Sequence, residues 1–270
     1  MNRLFAAIGL LPLLSLATAQ DAAPPAKRTA AAEPPEQRLE RARPGVPAGK
    51  FTIRNGDPTD PQLYPAVLWF VKAGPCSGTL IGERTLITAR HCVAPGARIS
   101  VPHRIGSDRR VLGTCTHPGP DALTLDIALC LLDAPVQSVF ENVNRNSARP
   151  QPREKVIIAG FGCGAFETPD VGVPTFRTGT TTVVRVPDAQ SDAIVTRGGA
   201  ALCLGDSGGA TFLTLSSGVR LLVAVNSQAS FDDVSFLPSV SSPTALGFIR
   251  GWAAERGQQI CGLGGQRGCR

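Results

Sequence analysis

The sequence predicts an all-β fold closed by one terminal helix, and three observations carry that reading. From about Phe51 onward, short runs rich in Val, Ile, Leu and Thr recur between Gly, Pro, Asp and Asn turns, the pattern of a β sandwich or barrel. Only one segment, near the C-terminus, has a sustained helical period. The 270 residues are 43% hydrophobic and 18% charged. That suits a buried core and excludes a wholly disordered or coiled-coil chain.

Taken in order, Met1-Asn2-Arg3 is a short basic start, Leu4 to Leu16 is apolar, and Ala17-Thr18-Ala19 fits a small-x-small cleavage site. The apolar run is too short to span a bilayer and contains Pro12. Residues 1–19 therefore read as a signal peptide, which implies a secreted or periplasmic protein with no membrane anchor. Residues 20–52 are built from Ala, Pro, Arg and Glu, with Pro24-Pro25 and Pro34-Pro35. So few apolar side chains cannot offset ordering entropy, so a flexible leader or propeptide is expected. Strands are expected at Ala66–Lys72, Gly78–Ile81, Thr85–Ala89, Ile127–Leu132, Val156–Gly160, Thr180–Val186 and Val219–Val225. The polar stretch from Glu141 to Lys155 reads as an inter-domain linker. The helix is expected over Thr244 to Gln258, with Leu246, Ile249, Trp252 and Ala253 on its inner face.

The formal charge of +6 is mostly a tail effect: from residue 53 onward there are 20 basic and 17 acidic side chains. That balance leaves no footprint for nucleic acid. Eight cysteines, an even number, suit a disulfide framework in an oxidising compartment. No Cys-x-x-Cys or His-x-x-x-His spacing occurs, so no metal is expected. The histidines are only three: His91, His103 and His117.

Three local patterns carry chemistry. In the first, two β-like runs flank Gly82-Glu83-Arg84, predicting a hairpin centred near residue 84. Cys76 and Cys92 are equidistant from that centre, and a bridge between them would fix the backbone beside His91. The second is Leu125-Asp126-Ile127, an acid at the mouth of an apolar strand. The third is Cys203-Leu204-Gly205-Asp206-Ser207-Gly208-Gly209, a serine in a turn that small residues allow. A serine hydroxyl becomes a nucleophile when an imidazole takes its proton, and a buried carboxylate holds that imidazole in the right tautomer. The glycines leave the backbone N–H groups of Gly205 and Ser207 uncrowded, free to converge as an oxyanion hole.

Singly, each piece is ordinarily structural. Order decides. Gly205–Gly209 also fits Gly-x-Ser-x-Gly, the elbow of α/β-hydrolases. Those enzymes need acid and histidine after the serine, and no histidine follows His117. The subtilisin order would need an earlier acid. What remains is His91, Asp126, then Ser207.

In these residues the chain from about Ile53 to Gln258 resembles a trypsin/chymotrypsin-type serine protease. The likeness rests on Leu86-Ile-Thr-Ala-Arg-His91-Cys92, Asp126-Ile-Ala-Leu and Gly205-Asp-Ser-Gly-Gly209. Ile53-Arg54-Asn55-Gly56 is similar to the family's mature N-terminus, Gly160-Phe-Gly162 to its Gly-Trp-Gly, and the final helix with Trp252 to its C-terminal helix. Departures are Arg90 for the usual Ala, Arg54 for an apolar residue, Thr52 before Ile53, and Asn226 where a serine commonly lines the cleft. No cysteine lies between Cys203 and Cys261, so the usual partner of Cys203 is missing.

The resemblance implies two antiparallel, six-stranded Greek-key β-barrels over 53–145 and 146–270, the second ending in the helix. His91 and Asp126 would come from the first barrel and Ser207 from the second. The implied activity is endopeptidase hydrolysis of protein or peptide substrates by a monomer through an acyl-enzyme, without cofactor. The rival is a catalytically silent secreted binding protein on the same fold. By the same resemblance Ala201, followed by Leu202, forms the base of the primary pocket, near Asn226 and Gln228. With no acid there, small or apolar side chains are favoured over Arg or Lys, unless Asp232 or Asp233 reaches the pocket. A freed amine at Ile53 would pair with Asp206. Beyond Cys76–Cys92, the expected bridges are Cys115–Cys130 on runs flanking Asp126, Cys261–Cys269 beyond the helix, and Cys163–Cys203 in place of the missing one.

Overall fold

In the computed structural model, residues 53–71, 75–104, 106–122, 124–162, 175–230, 232–264 and 268–270 are described. The expected signal peptide and leader, and Cys163, lie outside them. The first strand among the described residues is β1 (Asp57–Pro58), followed by β2 (Val67–Val71), β3 (Pro75–Gly82), β4 (Thr85–Thr88), β5 (Arg98–Pro102), β6 (Arg110–Thr116) and β7 (Ala128–Leu132). Strands β2 to β7 form one antiparallel sheet in the order β2-β3-β4-β7-β6-β5. Its two end strands, β2 and β5, lie against each other and close it as a barrel.

The second half supplies β8 (Asn142–Val143), β9 (Lys155–Gly160), β10 (Arg177–Arg185), β11 (Ala193–Gly199), β12 (Ala210–Thr214), β13 (Arg220–Val225), β14 (Gln228–Ala229) and β15 (Val234–Pro238). Their order is β14-β15-β11-β10-β9-β12-β13-β8, with β1 paired to β10. Ala224 pairs with Ser239 just beyond β15, so six of these strands curl round into a ring. The sheet counts nine strands instead of six, because β1, β8 and β14 are two-residue additions at its margins. Among the described residues these strands pair antiparallel except β8 with β13.

Alternation builds the core. Along β9, Val156 and Ile158 face a cluster inside the second sheet, with Ile53, Val183, Ile194 and Leu237. Its opposite face carries Ile157 and Ala159 to a larger cluster, which runs from the first barrel through Phe161 and Phe212 to the helix. The polar stretch after Glu141 is pinned, not loose: Glu141 is 0% exposed and pairs with Arg220, and Asn142–Val143 joins the sheet as β8. Arg220 also lies over the rings of Tyr64 and Phe212, at 4.2 and 4.6 Å.

Helix α1 (Pro243–Glu255) begins at Ser242, whose side chain accepts from the Ala245 N–H, with Pro243 in the first turn. Its buried face is Ala245, Ile249, Trp252 and Ala253. Ala245 takes the place expected for Leu246, which is only half-buried.

Candidate active site

Two neighbouring strands deliver the imidazole and the acid to one edge of the first barrel. The last residue of β4, Thr88, pairs with the first of β7, Ala128. Chain continuing past β4 turns through a single 3₁₀ turn, Arg90–Cys92, while chain approaching β7 carries Asp126. His91 and Asp126 therefore emerge together. The His91 Nδ1 lies 2.7 Å from Asp126 Oδ2, and the His91 backbone N–H donates to Oδ1 at 3.0 Å. Leu125 and Ile127, both 0% exposed, anchor the acid on either side. The Cys76–Cys92 disulfide ties β3 to the turn that carries His91.

A third donor comes from the other sheet. Ser227, just after β13, donates its hydroxyl to Asp126 Oδ2 at 2.5 Å. Burial pushes the Asp126 carboxyl up, but hydrogen bonds from His91 and Ser227 and the charge on His91 outweigh it, holding the group below the usual carboxylate range. An acid held ionised and bonded through both oxygens to one histidine fixes that ring's orientation and tautomer.

The β12–β13 pair brings in the serine. Ala210 sits opposite Val225, and beyond them Gly208 N–H donates to Asn226 O at 2.8 Å. This places Ser207 beside Ser227, to whose carbonyl the Ser207 hydroxyl donates at 3.3 Å. Ser207, Ser227, Asp126 and His91 thus form one chain of contacts linking both sheets.

Glycine is required around Ser207 for stated reasons. Gly208 has φ +82°, and a Cβ there would meet Ser77 O and Thr88 Oγ1 at 2.1 Å. Gly205 has φ +95°, which side chains rarely adopt. Among the described residues, neither the Gly205 nor the Ser207 N–H donates to another protein group, so both remain available as donors.

Asp206 points the other way, into the protein, and is 0% exposed. Its oxygens accept the N–H groups of Gly162 and Cys203 at 2.8 and 2.9 Å. Gly160-Phe161-Gly162 is its cradle: a Cβ on Gly160 or Gly162 would come within 2.5 Å of the carboxylate. Burial drives Asp206 up to about 7, against the two backbone hydrogen bonds and a weak pull from Arg177. Among the described residues no cation forms an ion pair with it.

Ile53 is 0% exposed in the core of the second sheet. Arg54 next to it pairs with Ala201 in both backbone directions, at 2.8 and 3.0 Å. The structure records no hydrogen bond or ion pair between Ile53 and Asp206. Ala201 and Leu202 are both buried, and Gln228 is exposed on β14. Asn226 does not reach the cleft. It is 0% exposed, donating to Ala159 O and accepting from Thr211 Oγ1. Its neighbour Ser227 turns instead to Asp126, because the extended backbone after β13 alternates sides. Asp233 is engaged by Arg54 at 3.0 Å, and Asp232 is exposed.

The Cys115–Cys130 and Cys261–Cys269 bridges are formed, the first across directly paired residues of β6 and β7. Cys203 is disulfide-bonded. Its expected partner, Cys163, lies outside the described residues.

The family model described as Trypsin matches residues 53–245. The chain belongs to the trypsin family. Solved structures with the family's fold include human heparin binding protein, at 20% identity and TM-score 0.54, covering 73% of this chain and 94% of that one. HL collagenase matches at 18% identity and TM-score 0.58, covering 76% of this chain and 99% of that one. At such identity the likeness concerns fold alone. No helix among the described residues is long and apolar enough to cross a membrane.

Proposed function

We propose that this trypsin-family chain is a secreted serine endopeptidase. The observation that carries the reading is the Asp126 carboxylate, which receives the His91 ring, the His91 N–H and the Ser227 hydroxyl at 2.7, 3.0 and 2.5 Å. Ser207 is bonded to that same Ser227. In this reading His91 takes the proton of Ser207 as its Oγ attacks a peptide carbonyl. Asp126 stabilises the imidazolium, and the N–H groups of Gly205 and Ser207 receive the oxyanion. His91 then returns the proton to the leaving amine, and water resolves the acyl-enzyme.

Small or apolar residues are cleaved after, since the buried Ala201 and Leu202 offer no charge at the pocket base and Asp233 is occupied by Arg54. Gln228 stands at the rim. Residues 1–19 direct export, residues 20–52 form a leader, and processing frees Ile53 to pair with Asp206. The mature protein acts as a monomer, with barrels over 53–145 and 146–270.

The test is turnover of casein by the processed protein. Ser207→Ala and His91→Ala should each lose on the order of 10⁴ in turnover. Wild type and Ser207→Ala that were equally inert would favour the silent binding protein instead.

A further inference from the structure

We propose that Ser77 is a positioning residue for the oxyanion hole, holding the Gly205 peptide through its side-chain hydroxyl; the inference rests on the protease reading above. Ser77 lies on β3, in the first barrel, and is 0% exposed. Its Oγ donates to Gly205 O at 2.9 Å and accepts the Phe161 N–H at 3.1 Å. Its backbone N–H donates to Ser207 O at 2.8 Å, and its carbonyl accepts the Thr88 hydroxyl at 2.8 Å. One small residue thus touches the nucleophile loop twice, the Asp206 cradle once, and β4 once.

The consequence lies in which peptide is held. The Gly205–Asp206 peptide is fixed at both ends: its carbonyl by Ser77 Oγ, its N–H by Cys203 O at 3.1 Å. Gly205 is a glycine at φ +95°, without a Cβ whose sterics would keep its N–H aimed at the cleft. Clamping the following peptide fixes the Cα and carbonyl of Gly205, one end of the Leu204–Gly205 peptide that carries the N–H. A shift of the loop that carried this end away from the cleft would break a buried hydrogen bond whose partners have no water to replace it. The hydroxyl also couples the loop to Phe161, so the oxyanion donor and the Asp206 cradle keep a fixed separation. Ser77 touches no reacting atom, and its effect passes through Gly205.

The experiment measures kcat and KM for a tetrapeptide anilide ending in alanine, and the affinity of the corresponding peptide boronic acid, whose tetrahedral adduct occupies the oxyanion site. Losing one oxyanion donor outright costs about 10²–10³ in kcat, so misaiming it in Ser77→Ala should cost about 10- to 30-fold. KM should stay within about twofold, and boronate affinity should fall in step with kcat. Ser77→Thr, which keeps the hydroxyl, should recover most of the loss. If Ser77→Ala does not fold, Thr88→Val loosens the Ser77 carbonyl and should lower kcat in the same direction by about threefold, as for one weakened neutral hydrogen bond. An active wild type with Ser77→Ala unchanged in kcat and boronate affinity, or changed as much in KM, overturns the inference alone. An inert wild type overturns the protease reading and this inference with it.

Discussion

Asp206 gives the chain a pH dependence that processing should erase. In the uncut chain, Ile53 has an amide and no charged amine, and the Asp206 carboxyl rises from 3.8 to about 7 because burial strips its water. Such a rise corresponds to about 4 kcal/mol against the charged form. The folded pKa lies above the unfolded one, so the folded state retains a proton that the unfolded chain releases. Stability from this group is therefore complete below about pH 4 and is lost as pH climbs through about 7, at up to about 1.4 kcal/mol per pH unit. Asp206→Asn removes the titration but puts an amide where a backbone N–H needs an acceptor, costing about 1–3 kcal/mol. At pH 4 the variant should be the less stable protein; by pH 5 ionisation of the unfolded chain's carboxyl has already cost the wild type about 1.6 kcal/mol, and the two should be nearly equal. At pH 8 it should be the more stable, by about 1–3 kcal/mol, once the carboxylate's burial cost exceeds the lost hydrogen bond. Urea unfolding of the uncut chain at pH 4, 5, 6, 7 and 8, in a Ser207→Ala background that prevents self-cleavage, measures both curves. Their difference cancels the three histidines. Parallel curves would refute the argument. Protein beginning at Ile53 should lose the slope, because the freed amine favours the carboxylate.

Ser227→Ala removes one hydroxyl from the Asp126 carboxylate, so its pKa should rise and the acid limb of the kcat/KM profile move up. An accompanying loss in kcat of about tenfold follows from one hydrogen bond to a charged group. Glu141→Gln should cost about 3–5 kcal/mol in urea unfolding by leaving Arg220 charged and without its buried partner; the double change Glu141→Leu with Arg220→Met should cost less. Peptide-library profiling of processed protein should return small or apolar residues before the cut, and Arg or Lys there would contradict the uncharged pocket base.

The fold was legible where the physics is local. Runs rich in Val, Ile, Leu and Thr between turn residues marked β2, β3, β4, β7, β9, β10 and β13, and the symmetric spacing of Cys76 and Cys92 about one turn marked their bridge. β5, β6, β11, β12 and β15 were not marked. Arg98, Arg110 and Arg197, for instance, are polar residues whose strand partners are chosen across the sheet. The helix was found, yet Ala245 and not Leu246 faces the core, because the inner surface is set by what α1 packs against. In the site, His91, Asp126 and Ser207 stood out through their order along the chain. Ser227 was passed over for its neighbour Asn226, since only the sheet decides which of two adjacent polar residues faces the cleft. Ser77 gave no signal at all: a serine beside a cysteine has no periodicity, and its partners Gly205 and Phe161 are 128 and 84 residues away.

Reaction of the processed protein with a fluorophosphonate, read by intact mass and peptide mapping, asks whether His91 activates the Ser207 hydroxyl. A single adduct on Ser207, absent in Ser207→Ala and strongly slowed in His91→Ala, is the predicted result. An unlabelled wild type, or labelling that His91→Ala leaves unchanged, would contradict it.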